Sequence, residues 1–436
     1  MSPPLIVQKY GGTTVGSIDK MKAIAGHIVA TRRQGFDLVV VVSAMDKTTD
    51  RLVDLAREMT ADPERRELDL LVATGEITSM ALLAMALRDL GEPAISLSGG
   101  QCGILTNDVH SNARILEIDT TRLRQELAQG SIVVVAGYQG VNALGELTTL
   151  GRGGSDTTAT ALAAALGADS CQIFTDVDAV YSADPRIVET ARPLSELSGA
   201  EMEEMAWHGA QVVKAEAVEF AKSNAVDFEV LSPYGEISGT RVRMEPKDGA
   251  LATPRRFVPR RPAVAGVTGR EDLIRLRGNA GALGFPGLRD EVFDLVANYD
   301  LVFGKLDHDA GAFDLLLSDQ EIPEPKELLR QMEQRFGDAV SPTGDLGAVS
   351  LIGFGIGSRP AAFLEAFRVL EDADIEVRGS FTGRESLSFL VAAAQVRDGM
   401  HTLHQRYIES QEPPTSAKDF EAKVPEKSPE RIPSLA

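Results

Sequence analysis

A glycine-rich turn joined directly to an Ala-rich helix, TTLGRGGSDTTATALAAALGAD at residues 148–169, constrains this chain more than any other stretch. Glycines let backbone amides approach an anion closely, and unpaired N–H groups give the start of a helix partial positive charge. The turn also carries one cation, Arg152, and one carboxylate, Asp156. An apolar run, Ile132 to Ala136, precedes it and another leads into Thr175-Asp176, so the turn fits a β-loop-α-β unit at the carboxyl ends of parallel strands. An anionic ligand is expected to dock there. The alternative is an ordinary helix start capped by Ser155 or Asp156.

The first 245 residues keep to that rhythm. Short β-branched runs at 5–7, 37–42, 93–97, 132–137 and 171–175 alternate with helical patterns at 18–33, 49–60, 66–90 and 157–166. This predicts an α/β layer structure with a mainly parallel sheet between helical layers. The arginine- and proline-rich stretch 246–262 reads as a linker, and two segments of similar βαββα rhythm follow at 263–335 and 346–410. A repeat of about 70 residues predicts two small α+β modules packed as a pair. Residues 411–436, rich in Pro, Glu, Lys and Ser, read as a disordered tail.

Composition removes several function classes. With 44 Lys and Arg against 64 Asp and Glu, the net charge is −20, and the summed field opposes nucleic acid and anionic membranes. Any anionic ligand then depends on local cations. Two cysteines, Cys102 and Cys171, give neither a zinc pattern nor a disulfide framework, and they read as buried, inert thiols. With no basic-then-apolar leader and no apolar run near the ~18 residues of a membrane span, a cytoplasmic location is expected.

Four further segments carry chemistry. Lys9-Tyr10-Gly11-Gly12-Thr13-Thr14 closes the first strand with a point charge, paired glycines and hydroxyls, suited to terminal phosphates, or else is a surface lysine before a turn. It has neither the Walker A order nor a dinucleotide fingerprint, which disfavours a dehydrogenase. Val42 to Asp50 ends another strand in hydroxyl residues, where Thr48 or Thr49 serves a ligand, a helix cap or both. Thr74-Gly75-Glu76 breaks an apolar helical stretch, and Glu76 there either holds an amino group or makes a capping contact. Thr175 to Arg186, with Asp176, Tyr181, Asp184 and Arg186, suits a nucleotide pocket or an ordinary Asp-Pro turn. No metal-ligand set is expected from the protein itself.

Taken in order, KYGGTTVGS, VVVVSAMDKTTD, ATGEITS, TTLGRGGSDTTATALAAALGAD and TDVDAVYSADPRIV resemble the aspartate kinases of the amino-acid kinase superfamily, closely over residues 5–245. The paired segments at 263–410 resemble that family's regulatory ACT repeats more loosely. The resemblance implies ATP-dependent phosphorylation of the β-carboxylate of L-aspartate, the first step toward lysine, threonine and methionine, with magnesium on the ATP. It implies Lys9 at the transferring phosphoryl group, Tyr10 and the amides of Gly11 and Gly12 near the phosphates, and Thr175, Asp176, Tyr181, Asp184 and Arg186 around the nucleotide. Thr49, Glu76, Arg152, Ser155 and Asp156 would hold aspartate, Glu76 through its amino group and Arg152 through its α-carboxylate. Lys9, Arg152 and Asp156 would be catalytic, Asp156 as organiser of Lys9 rather than proton acceptor. A homodimer or higher assembly through the ACT-like modules is expected, and a separate small subunit from an internal start is open.

The chain departs from that family in places. Gln211 stands where a lysine is usual, with Lys214 three residues on as a candidate substitute, and Asp46 and Ala179 replace glycines. Phe303-Gly304-Lys305 and Gly311-Ala312-Phe313 lack the amides expected to grip an amino-acid effector, so lysine and threonine feedback is expected to be weak, altered or lost. The alternatives are another carboxylate or nucleotide kinase of the same superfamily, or a catalytically dead amino-acid-binding regulator. Glu76 with Arg152 favours a free amino acid over the first, and retention of Lys9, Arg152 and Asp156 counts against the second.

Overall fold

The computed structural model describes residues 3–410 apart from 152, 211, 236, 245–263, 280–286, 288–289, 293, 296–304, 309–311, 320–321 and 323–324. Arg152, Gln211, the linker 246–262, the tail 411–436 and, of the expected effector segments, Phe303, Gly304 and Gly311 therefore lie outside the described residues.

Alternation of buried side chains builds the first part of the fold. The eight-stranded sheet contains β1 (Leu5–Tyr10), β2 (Asp37–Val42), β3 (Ala94–Leu97), β6 (Ile132–Ala136) and β9 (Ser170–Phe174), completed by Glu196–Ser198, Phe228–Leu231 and Thr240–Arg243. β9, β1, β2, β6 and β3 lie side by side and all pair in parallel. Val39, Val41, Val133 and Val135 enter one core with Leu162 and Val218, while Leu38, Val40, Val42 and Val134 enter another with Ile24 and Leu83. Successive residues point to opposite faces, so an unbroken run of valines is what a strand covered on both sides by helices requires. Both cysteines are buried and free, and burial pushes each thiol up to about 12.

Helices α1 (Ile18–Arg33), α2 (Thr48–Met59), α3 (Arg65–Val72), α4 (Thr74–Asp89) and α6 (Gly154–Leu166) follow the expected order, and α5 (Thr121–Ala128) is a helix the sequence rhythm did not predict. Thr74-Gly75-Glu76 does not break the helical stretch: α3 and α4 run on with only Ala73 between them. This run, Arg65–Asp89, is long and apolar enough to cross a membrane by length and composition alone, which the strand-by-strand reading did not anticipate. Half of its most apolar window is buried in the protein, and Leu83 and Leu87 pack against the sheet. A small four-stranded sheet, β5 (Ile115–Ile118), β4 (Ile104–Thr106), β7 (Gln139–Val141) and β8 (Leu147–Thr149) in spatial order, flanks the carboxyl edge.

The second part is one continuous six-stranded antiparallel sheet, ordered Lys305–His308, Ala312–Ser318, Gly266–Asn279, Val340–Ile352, Ser386–Ala392 and Gly379–Thr382. The two expected repeats meet through the central strands 266–279 and 340–352. Residues 340–345, read as a gap, belong to the second of these, Pro342 opposite Leu276, with register shifts close by that absorb the irregularity. Ile375-Glu376-Val377 precedes a strand, at Gly379–Thr382, instead of forming one.

The two parts touch at named groups. Ser182 accepts the Val267 N–H at 2.7 Å on its carbonyl, and its Oγ lies 2.9 Å from His404 Nε2. Arg270 donates to the Trp207 carbonyl at 3.0 Å, and His208 Nδ1 lies 3.4 Å from Ser388 Oγ.

Asp69, on α3, is 1% exposed. Its carboxylate accepts from the Ser111 and Thr149 N–H groups, 3.0 and 3.1 Å away, and from Thr149 Oγ1 at 2.7 Å, and it lies 3.0 Å from His110 Nδ1. One acidic side chain therefore fixes the strand end that leads into the 150–154 turn. Asp69→Ala, which strands several buried donors, is expected to cost about 2–4 kcal/mol and to lower the apparent Tm by about 5 °C or more in thermal denaturation.

Candidate active site

The carboxyl ends of β1, β2, β6 and β9 bring together part of the expected set, Lys9, Gly12, Ser155, Asp156 and Thr175. Lys9 Nζ lies 2.6 Å from Asp156 Oδ1, with the two side chains only 10% and 8% exposed. Asp156 sits in the first turn of α6, where the helix dipole favours a negative charge. Because β1 and β9 are neighbours, Gly11 N–H reaches the Phe174 carbonyl at 3.1 Å and Thr175 begins beside it. Loop 43–46 closes over the same end: Ser43 N–H donates to the Tyr10 carbonyl at 3.2 Å and Asp46 N–H to the Gly12 carbonyl at 3.1 Å. Gly137 ends β6, and a Cβ there would stand 2.7 Å from Ser155 Oγ, so the absent side chain is what lets Ser155 sit at the sheet.

Two expectations need correction. The Tyr10 side chain is fully buried on the face opposite Lys9, with its ring stacked 4.7 Å from Phe174 and its hydroxyl 2.8 Å from His27 Nδ1. It belongs to the core and cannot reach a phosphate, because neighbouring residues of a strand face opposite ways. The Gly11 amide is committed to Phe174, leaving Gly12 as the amide candidate. Capping is also resolved differently from either alternative. The residue before α6 is Gly153, held at φ +79° in the left-handed region, and neither Ser155 nor Asp156 caps the helix. Thr49 is half-buried at the start of α2, and Thr48 donates to the Met45 carbonyl at 2.6 Å instead of capping that helix.

Glu76 is 3% exposed in the first turn of α4. Its Oε1 accepts the Ala44 N–H at 3.0 Å, while Oε2 is buried and has no hydrogen-bond partner among the described residues. Burial pushes this carboxyl up to about 7. A buried carboxylate with one oxygen unserved is a fit acceptor for a cationic ligand group.

The segment from Thr175 to Arg186, expected to face a nucleotide, is more open. Thr175 N–H donates to the Leu231 carbonyl at 2.9 Å and its hydroxyl to Asp176 Oδ1 at 3.0 Å, and Asp176 itself is exposed. Tyr181 donates to Asp178 at 2.8 Å. Arg186 grips Asp184, Nη2 to Oδ2 at 2.7 Å and Nε to Oδ1 at 3.0 Å, which holds the Asp184 carboxyl below its usual range. This pair lines a cleft of about 230 Å³ together with Lys214, Arg270 and Arg397. Of the replaced glycines, Asp46 takes a left-handed φ of +46° and Ala179 does not. Asp tolerates that conformation better than most residues.

Arg152 lies outside the described residues. Its neighbours Gly151 and Gly153 are described, and Asp156 is tied to Lys9 at the end of β1. The residue missed from sequence is Asp69, whose signal was a lone acid on the apolar side of a helix. Among the described residues no group of three or more His, Cys, Asp or Glu side chains could hold a metal ion.

The model of the amino acid kinase family matches residues 4–232. Aspartokinases from Geobacillus stearothermophilus and Pseudomonas aeruginosa are 39% and 37% identical to this chain, each over 92% of it and 97% of the relative. Among solved structures, Escherichia coli aspartokinase III in complex with aspartate and ADP superposes with a TM-score of 0.75 at 25% identity, covering 92% of this chain and 99% of the other. Aspartate kinase from Synechocystis gives 0.52 at 32% identity, covering 94% and 70%. The chain belongs to the amino acid kinase family and, within it, to the aspartokinases.

Proposed function

We propose that this chain transfers the terminal phosphoryl group of ATP to the β-carboxylate of L-aspartate, giving 4-phospho-L-aspartate and ADP. The observation that carries this reading is the buried Lys9–Asp156 pair at the carboxyl ends of the sheet, in a chain that matches a relative solved with aspartate and ADP over nearly its whole length. The intact pair, with Glu76 still in place, also counts against a dead amino-acid-binding regulator.

The attacking carboxylate is ionised at neutral pH, so the reaction needs no general base. What it needs is two anions held in line while cations offset their repulsion. In this reading Lys9 faces the transferring phosphoryl group, and Asp156 fixes the lysine's position. Glu76 holds the substrate ammonium, with Thr49, Arg152 and Ser155 completing the amino-acid side. Gly12, Thr175, Asp176, Tyr181, Asp184 and Arg186 hold the nucleotide. Magnesium would arrive on the phosphates and keep most of its water, as a small hard cation does in such sites, offsetting charge there. A dimer or larger assembly through the six-stranded sheet, in the cytoplasm, is part of the same proposal.

Lys9→Ala is expected to lower kcat by about 10²- to 10³-fold or more with the fold intact, measured as ADP release with ATP, magnesium and aspartate. Retained turnover would refute the role. Millimolar lysine and threonine, singly or together, are expected to leave that rate unchanged.

Glu76 gives a prediction of opposite sign for stability and activity. Its folded-state pKa of about 7 lies above the unfolded value. The folded protein thus binds the extra proton through the window from roughly 4.3 to 7, and stability falls as pH rises across it. Glu76→Gln is expected to stabilise the protein by about 3 kcal/mol at pH 8, seen as a higher Tm, while raising KM for aspartate by about 100-fold or more. In the unaltered protein, KM for aspartate is expected to rise as pH drops below about 7.

A further inference from the structure

The turn that holds Asp156 is touched from outside by a lysine that the scheme above does not use. Lys214 precedes the helix Ala215–Ser223 in extended conformation, φ −73° and ψ 143°, so it is not placed by helical spacing from residue 211. Its aliphatic stem lies flat on Gly153: a Cβ on that glycine would overlap Lys214 Cγ. Left-handed backbone and this contact together demand glycine at 153.

Lys214 is exposed and lines the cleft shared with Asp184 and Arg186. The neighbouring cations are committed. Arg186 is held by Asp184 at 2.7 Å, Arg270 by Asp272 at 2.9 Å, Arg397 by Glu271 at 2.9 Å, and Lys9 by Asp156 at 2.6 Å. Among the described residues, Lys214 has no carboxylate partner. In a chain of net charge −20, a polyphosphate must be captured by such a local positive charge. Lys214 stands where the glycine turn meets the nucleotide-side pair.

We infer that Lys214 is a nucleotide-binding residue whose ammonium meets the phosphates of ATP and ADP, seated by its stem on Gly153. The inference rests on the proposed reaction, which it deepens. A point charge on phosphate acts on nucleotide affinity and leaves the amino-acid side alone.

The test compares the full-length protein with Lys214→Ala, Lys214→Arg and Arg397→Ala, the last removing another cation that lines the same cleft. Lys214→Ala is expected to raise both KM for MgATP and the Kd of MgADP, measured by calorimetric titration, about tenfold. KM for aspartate and both constants in Arg397→Ala should stay within about twofold, and Lys214→Arg should recover most of the loss. An unchanged nucleotide KM and Kd in Lys214→Ala, or an equal rise in KM for aspartate, would overturn the inference. An unaltered protein that binds MgADP through Lys214 yet fails to phosphorylate aspartate would refute the proposed reaction and leave the binding role standing.

Discussion

A buried ion pair between residues 147 positions apart, Lys9 and Asp156, sets the terms for everything around it. Taking two charges out of water is costly, and attraction between them offsets that cost only with close geometry and supporting dipoles. Both conditions are met: the separation is 2.6 Å, and the carboxylate stands in the first turn of α6. The pair in turn requires β1 to end where α6 begins. That arrangement arises when parallel strands put their carboxyl ends, and the loops that follow them, on one edge of the sheet. The lysine is therefore a cation held in place and shielded until a second anion arrives.

The six-stranded sheet reaches this edge through Ser182. Its carbonyl takes an N–H from the strand 266–279, and its hydroxyl meets His404, whose other nitrogen lies 3.1 Å from Glu409. Burial lowers the His404 pKa, so the ring works as a neutral hydrogen-bonding bridge. The Ser–His–Glu order resembles a hydrolase triad, yet Ser182 is 1% exposed and His404 fully buried, which denies any substrate access to the hydroxyl. The bridge is mechanical. It anchors the residue next to Tyr181 and two before Asp184, so the nucleotide-side segment and the antiparallel sheet move as neighbours. Energetic coupling between them requires two arrangements of that contact with different ligand preferences.

Much of this was legible in the residues because local chemistry decided it. The valine runs could only be strands covered on both faces, and the glycine turn could only enter a helix at a strand end. Strand alternation also held the correction to Tyr10: if Lys9 faces α6, the next residue must face the opposite core. What sequence could not carry were meetings of distant segments. Asp69 acquires its role only when residues 111 and 149 fold against it, and the seat of Lys214 on Gly153 exists only in the fold, although the lysine itself stands out in the sequence as a candidate. The second set of strands was harder still, because residues 340–345 fall between the two expected repeats, where register shifts let one long strand continue.

The two ends of the site treat charge in opposite ways, and that difference bears on which acceptors fit. Lys9 is neutralised within the protein, whereas Glu76 is buried with one oxygen bonded to Ala44 and the other without a partner. An acceptor bearing an ammonium group supplies the missing donor and favours the ionised carboxylate. An acceptor without it, such as an N-acylated amino acid or a nucleoside monophosphate, would leave a buried carboxylate either unpaired or protonated, at a cost of about 1–3 kcal/mol or more. If Glu76 holds the substrate ammonium as proposed, selection for a free amino acid would come from the penalty of leaving it unserved, a polar form of discrimination that is sharper than shape alone provides.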